Sequence, residues 1–203
     1  MGKLLASAWD QGMGHAMRIL LAGLLGAIAM YFWSTIAHVA TPLATMGVSH
    51  LNNEQSVMDA VHTDLGDKSG FYLYPWSEDM SAEGMKAQQA KLDANGMELI
   101  VYRAPGTASV SMVHPMIHEF ISELVQALIA AWLVAQTVIV AYARRVFFVT
   151  AVGVAAGIGT NVSYHIWYGF PTDYTFANIV MQVVGYLAAG LVIAAMLRRN
   201  ATA

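Results

Sequence analysis

The sequence predicts an all-α integral membrane protein: a four-transmembrane-helix bundle with a small α+β extracytoplasmic insertion between helices 1 and 2. Three observations predict it. Apolar runs occupy residues 19–40, 115–143, 146–168 and 174–197, and each supplies the ~20 residues that a hydrocarbon core of about 30 Å requires. Of 203 residues, 57% are hydrophobic and 11% charged, against roughly a quarter charged in a soluble domain. The chain therefore lacks the charge to coat a soluble core. Residues 41–114 depart from this texture, with nine acids, four bases and regular turn signals.

Residues 1–18 read as a cytoplasmic or interfacial segment, with Leu4, Leu5, Ala8 and Trp9 suited to a short helix on the inner leaflet. The first run continues past Tyr31, Phe32 and Trp33. That exceeds the ~7–15-residue core of a signal peptide, and no A-x-A site follows, so it reads as a retained helix.

In the insertion, Asn52-Asn53-Glu54-Gln55 resembles a capping box, after which Val57, Met58, Val61 and Leu65 share a helical face until Gly66. Gly70-Phe71-Tyr72-Leu73-Tyr74 reads as a strand stopped by Pro75. Residues 81–95 read as a second helix ended by Gly96, and residues 97–103 as a second strand. Ala104-Pro105-Gly106-Thr107 suits a type II turn, from which residues 109–113 are expected to return as a hairpin partner. A unit of this size is marginal on its own core without disulfides, and the chain has no cysteine. The insertion is therefore expected to lean on the bundle or on a partner protein. The lack of cysteine also excludes thiolate metal sites and cysteine nucleophiles.

Arg18 precedes the first span, Arg144 and Arg145 join the second to the third, and Arg198 and Arg199 follow the fourth. Residues 169–173, which join the third to the fourth, carry no Lys or Arg. The positive-inside rule then places both termini in the cytoplasm and residues 41–114 outside. The net charge of −3 gives no reason to expect nucleic acid as a partner. Gly153 with Gly157, Ala127 with Ala131 and Ala135, and Gly185 with Ala189 and Gly190 are small-residue steps. They imply a compact bundle or a dimer seam.

Two constellations could carry chemistry. Counted from a turn at Arg144–Arg145, Glu123 and His165 both fall about 30 Å up their helices, level with His38 and Asn178 on the other two. Glu119, Glu123 and Gln126 share one face of the second helix, and a carboxylate stripe in a span should point into the bundle. The expected polar cluster is His38, Glu123, Gln126, His165 and Asn178, with Glu123 contacting His165 or Asn178. The plainer reading is that polar groups at this depth meet headgroups and water.

The second constellation is His114, Met116, His118 and Glu119 at the entrance to the second helix, where imidazole and thioether offer ligands for copper or zinc. With Pro115 starting the helix, Met116 and His118 lie about 200° apart, so both can face one ion only if the preceding strand folds over. Catalytic motifs are missing: there is no Gly-rich phosphate loop, H-E-x-x-H, G-x-S-x-G or C-x-x-C. Asn161-Val162-Ser163 matches a glycosylation sequon but is embedded in a span.

The Gly70-Phe71-Tyr72-Leu73-Tyr74-Pro75 strand, the Leu99-Ile100-Val101-Tyr102 strand and the Trp167-Tyr168-Gly169-Phe170-Pro171 turn resemble those of small uncharacterised bacterial four-helix inner-membrane proteins. That resemblance implies a bacterial inner membrane and assigns no activity or residue roles. The helix order also resembles claudin-type proteins, but their paired-cysteine loop signature is absent.

Three functions are consistent with these features. The first is an accessory or scaffold subunit of a larger membrane complex, docking through its outer domain and small-residue helix faces. The second is a metal- or cofactor-binding membrane protein using the outer-rim histidines with Glu119 or Glu123. The third is an oligomeric transporter or channel. The first is favoured because the helix count leaves no charge near the middle of a span, where transport would need it.

Overall fold

A computed structural model describes residues 14–198 of the chain. In order they form α1 (His15–Ala40), a 3₁₀ turn (Pro42–Thr45), α2 (Glu54–Leu65), β1 (Gly70–Tyr74), α3 (Ala82–Asn95), β2 (Glu98–Tyr102), α4 (Val113–Gln136), α5 (Tyr142–Tyr168) and α6 (Thr172–Met196). Helices α1, α4, α5 and α6 are long and apolar enough to cross a membrane. The expected interfacial helix at Leu4, Leu5, Ala8 and Trp9 lies outside the described residues, as does Arg199. The chain divides into a helical unit, running up to Val48 and on from Val113, and the insertion Ser49–Met112.

The helix boundaries correct the expected turn. The second apolar run was expected to stay helical to residue 143, but α4 stops at Gln136. Thr137 ends it: its amide and its hydroxyl both donate to Val134 O, at 3.1 and 2.8 Å. The same hydroxyl accepts from Ile139 N at 3.4 Å. A side chain that offers the backbone these local bonds competes with helix continuation, and the β-branched Val138, Ile139 and Val140 that follow do not restore it. Helix α5 then starts at Tyr142, so Arg144 and Arg145 lie inside its first turn and not in a loop.

Arg145 is 2% exposed. Its Nε donates to Ile139 O at 2.6 Å, and its Nη1 donates to Leu197 O just beyond α6. At the same end of the unit Arg18 Nη2 donates to Arg198 O at 3.3 Å. At the opposite end, Thr41 closes α1 by donating to Ala37 O at 2.7 Å, and the 3₁₀ turn packs against α1 and α6. Gly47 there has φ +71, and a Cβ would stand 2.7 Å from Tyr174 N. Only glycine meets both conditions.

Helix α6 packs along α5 on one side and α1 on the other, and α4 packs along α1. The fourth side, between α4 and α5, is sparsely packed even though a short linker joins the two. Small residues make the close sides. A Cβ on Gly153 would meet Tyr186 Cβ at 2.4 Å, and one on Gly23 would meet Leu128 Cα at 2.9 Å. Ala127, Ala131, Ala189 and Gly190 are buried in the same seams, so these steps are consumed inside the chain's own bundle. The apolar core of Ala22, Ala130, Ala131, Val134, Val149, Ala189, Ile193 and Leu197 lies toward the Arg145 end.

In the insertion, Asn53 caps α2 by accepting from Ser56 N at 3.3 Å, one residue along from the expected box, and Gly66 ends it. Ser81 caps α3 by accepting from Gly84 N, and Gly96 ends it with φ +80. The expected strands are present but pair with each other: β1 runs antiparallel to β2 in the register Gly70↔Tyr102 to Tyr74↔Glu98. Residues 109–113 are not a strand. Ser109 Oγ accepts from Ser111 N at 3.1 Å, which bends the chain locally, and Val113 already belongs to α4. The unit is tied by single bonds such as Tyr102 OH to Gly66 O and Ala104 N to Ser69 Oγ, at 2.8 and 2.9 Å. Val57, Met58, Phe71 and Val101 stay exposed, so little core forms.

A candidate binding cleft in the helical unit

Each long helix has one interior stripe that changes character along its length. On α1 it passes from Ala22 and Met30 to Ser34 and His38, and on α4 from Val134 and Ala130 to Gln126, Glu123 and Glu119. On α5 it passes from Val149 and Gly153 to Asn161, and on α6 from Ile193 and Ala189 to Gln182 and Asn178. Where the four polar halves converge there is a cleft of about 260 Å³, partly open to the outside. Its apolar wall is Met30, Trp33 and Met181, fixed by Trp33 Nε1 donating to Met181 O at 2.9 Å.

Glu123 sits nearer the middle of its helix than the sequence count placed it. Because α4 ends at Gln136, Glu123 lies about 20 Å from that end and about 15 Å from Val113, at 1.5 Å per residue. It is therefore at the middle of its helix. The residue is 4% exposed, the Ser34 hydroxyl stands against its carboxyl group, and its Oε2 is buried with no hydrogen-bond partner. Buried carboxyl oxygens are rarely left so.

Of the expected polar cluster, His38, Glu123, Gln126 and Asn178 line the cleft together, as does Glu119. His165 does not. Its Nδ1 donates to Phe170 O at 2.6 Å at the α5–α6 turn, among the stacked rings of Tyr164, Phe170 and Tyr174. The expected Glu123–His165 contact is thus replaced by a shared cleft with Asn178, whose own Nδ2 donates to Tyr174 O at 2.9 Å. His38 Nδ1 donates to Ser34 O at 2.8 Å.

The expected metal set fares differently. Helix α4 begins at Val113, ahead of Pro115, so His114 and His118 stand one turn apart on its surface. They are exposed with Met116, and Glu119 turns to the cleft. Among the described residues no group of three or more His, Asp or Glu could hold a metal ion. Sequence reading missed Ser34, Asn161 and Gln182. The available signal was an amide inside an otherwise apolar span, which for Asn161 was absorbed by the sequon match. The chain matches no protein-family model, no curated protein and no solved structure.

Proposed function

We propose that the chain is a membrane-embedded binding protein that takes a small hydrogen-bonding ligand into the cleft, with Glu123 as the deciding residue. One observation carries this reading: the Glu123 carboxyl group lines the cleft near the middle of α4, and its Oε2 is buried with no hydrogen-bond partner among the described residues. An unmet buried acceptor costs about 1–3 kcal/mol, which a donor-bearing ligand recovers. The scaffold reading was preferred for the lack of a charge near the middle of a span. Glu123 near the middle of α4 weighs against that premise, and Gly153 and Gly23 are packed inside the bundle and not free for docking.

Within this reading the Arg145 end, which gathers Arg18, Arg144 and Arg198, faces the cytoplasm of a bacterial inner membrane, and the insertion faces outward. A cysteine at Lys86 should then react with an impermeant thiol reagent in intact cells. The chain has no native cysteine, so single substitutions also probe the cleft itself. Gln182→Cys should react with small methanethiosulfonates in membranes while Ile193→Cys, in the core, should not. An inert Gln182→Cys would overturn the binding reading.

A second reading, docking of the insertion on a partner subunit, is favoured by the cross-strand pair Phe71 and Val101, 55% and 70% exposed on one sheet face. A photo-crosslinker at Val101 should then give a discrete adduct that Phe71→Asp abolishes.

A further inference from the structure

Several donors of the cleft lining are already committed. Asn161 Nδ2 donates to Gly157 O at 2.9 Å, and Asn178 Nδ2 to Tyr174 O at 2.9 Å. Gln126 Nε2 donates to Ser122 Oγ at 3.1 Å, and the Trp33 indole N–H is taken by Met181 O. Each amide ties one N–H to its own helix, so its carbonyl oxygen and one remaining N–H are left for the cavity. His38 likewise commits Nδ1 to Ser34 O, which leaves Nε2 for the cavity. Gln182 is without such a tie among the described residues and can present either end of its amide.

Charge points the same way. The lining holds two carboxyl groups, Glu119 and Glu123, and neither Lys nor Arg. An anion would find no cationic side chain among the described lining residues and would face two carboxyl groups. A neutral solute would leave an ionised Glu123 without a counter-charge inside the helix bundle, the arrangement a membrane protein avoids. A transition metal would need several His or carboxylate ligands, and among the described residues no group of three or more His, Asp or Glu could hold one. A cation with N–H donors fits the lining: it offers the Glu123 carboxyl group a counter-charge, it can donate to the amide oxygens, and Trp33 lies in the same wall. The volume is modest. At roughly 30 Å³ per water-sized group, 260 Å³ admits a molecule of about eight or nine non-hydrogen atoms.

Resting on the binding reading above, we infer that the ligand of the cleft is a small organic cation bearing N–H donors, a primary or secondary ammonium, held by Glu123 and the amide oxygens of Asn161 and Asn178. The sparse α4–α5 side is its way in, because Glu119 and Gln126 on α4 line the cleft with Thr160 and Asn161 on α5.

The test uses the full-length protein in lipid nanodiscs and four probes of one chain length: n-butylammonium, n-butyltrimethylammonium, n-butanol and butyrate. Calorimetric titration should show n-butylammonium binding about tenfold or more tightly than the quaternary ion and the alcohol, with butyrate silent. Glu123→Gln should weaken n-butylammonium by about tenfold or more and so narrow its advantage over n-butanol. A second measurement does not depend on how that variant folds. The Gln182→Cys protein should react faster with a cationic methanethiosulfonate than with an anionic one of similar size. Equal binding of butanol and butylammonium, or equal reaction rates, would overturn the cation while leaving a binding cleft. Failure of all four probes, together with an unreactive Gln182→Cys, would overturn both.

Discussion

The Arg145 guanidinium, in the first turn of α5, donates to the backbone carbonyl of Leu197, immediately after the last turn of α6. The same group also holds Ile139 O in the α4–α5 linker. One buried side chain thus ties three chain segments at one end of the bundle. The carbonyls at a helix C-terminus carry the negative end of its dipole, which favours a cation there. Arg145→Ala should lower bundle stability by roughly 3 kcal/mol, since two carbonyls lose a charged donor and a void opens. Arg145→Lys should recover only part of this, because an ammonium cannot fork to two carbonyls as a guanidinium does. Arg144→Ala, one residue away and exposed, should stay within about 0.5 kcal/mol. Unfolding titrations in detergent measure all three, and equal effects at both arginines would refute the assignment.

Gly153 and Gly159 make an internal comparison on α5. A Cβ on Gly153 would stand 2.4 Å from Tyr186 Cβ, whereas one on Gly159 meets nothing within 4 Å. Gly153→Ala should therefore separate α5 from α6 and cost about 1–3 kcal/mol. Gly159→Ala should be neutral or stabilise by up to about 1 kcal/mol through helix propensity. Thermal unfolding of the pair decides this, and the prediction fails if both substitutions move stability the same way.

Asp79 precedes α3, and the Ser81 hydroxyl and then the Ser81 amide hold its carboxyl below the usual Asp range. The amide bond, to Asp79 Oδ1, is 2.9 Å long. A carboxyl whose folded pKa is lowered stabilises the fold fully above its unfolded value, about 3.9. That contribution is lost as pH falls through the lower folded value. Hydrogen exchange at the α3 N-terminus should quicken on acidification in that window, and Asp79→Asn should abolish the dependence. An unchanged profile in the variant would show that another group is responsible.

How far the sequence could be read depended on which force set each feature. The four spans follow from apolar length, and Asn53, Gly66, Ser81 and Gly96 mark helix ends through local chemistry, so both were legible. The Arg144–Arg145 turn was not, because a basic pair between apolar runs reads as a loop. The Thr137 side-chain bonds that end α4 early depend on local geometry that the residue type does not announce. That single shift changed the place of Glu123 along its helix. The cleft was half legible: periodicity put Glu119, Glu123 and Gln126 on one face. Which partners meet them depends on α4 packing along α1 and standing off α5, a tertiary outcome.

Glu123 can be tested for what it contributes to folding as distinct from binding. Had it been a structural anchor between helices, Glu123→Leu would loosen the bundle by about 1–2 kcal/mol. Its observed surroundings argue otherwise. The Ser34 hydroxyl stands against the carboxyl group, Glu119 lies one turn away, and Oε2 has no hydrogen-bond partner among the described residues. Replacing a buried, poorly satisfied carboxyl with an apolar side chain of similar size is often neutral or stabilising by about 1–4 kcal/mol. Glu123→Leu should therefore hold or raise the unfolding midpoint while abolishing uptake of n-butylammonium, the trade expected where a site is kept for function at the expense of stability. Ser34→Ala should have little effect on stability, because its carboxyl neighbour keeps access to the cleft. A Glu123→Leu protein destabilised by about 1 kcal/mol or more would restore the anchor role and remove the main support for the cleft as a binding site.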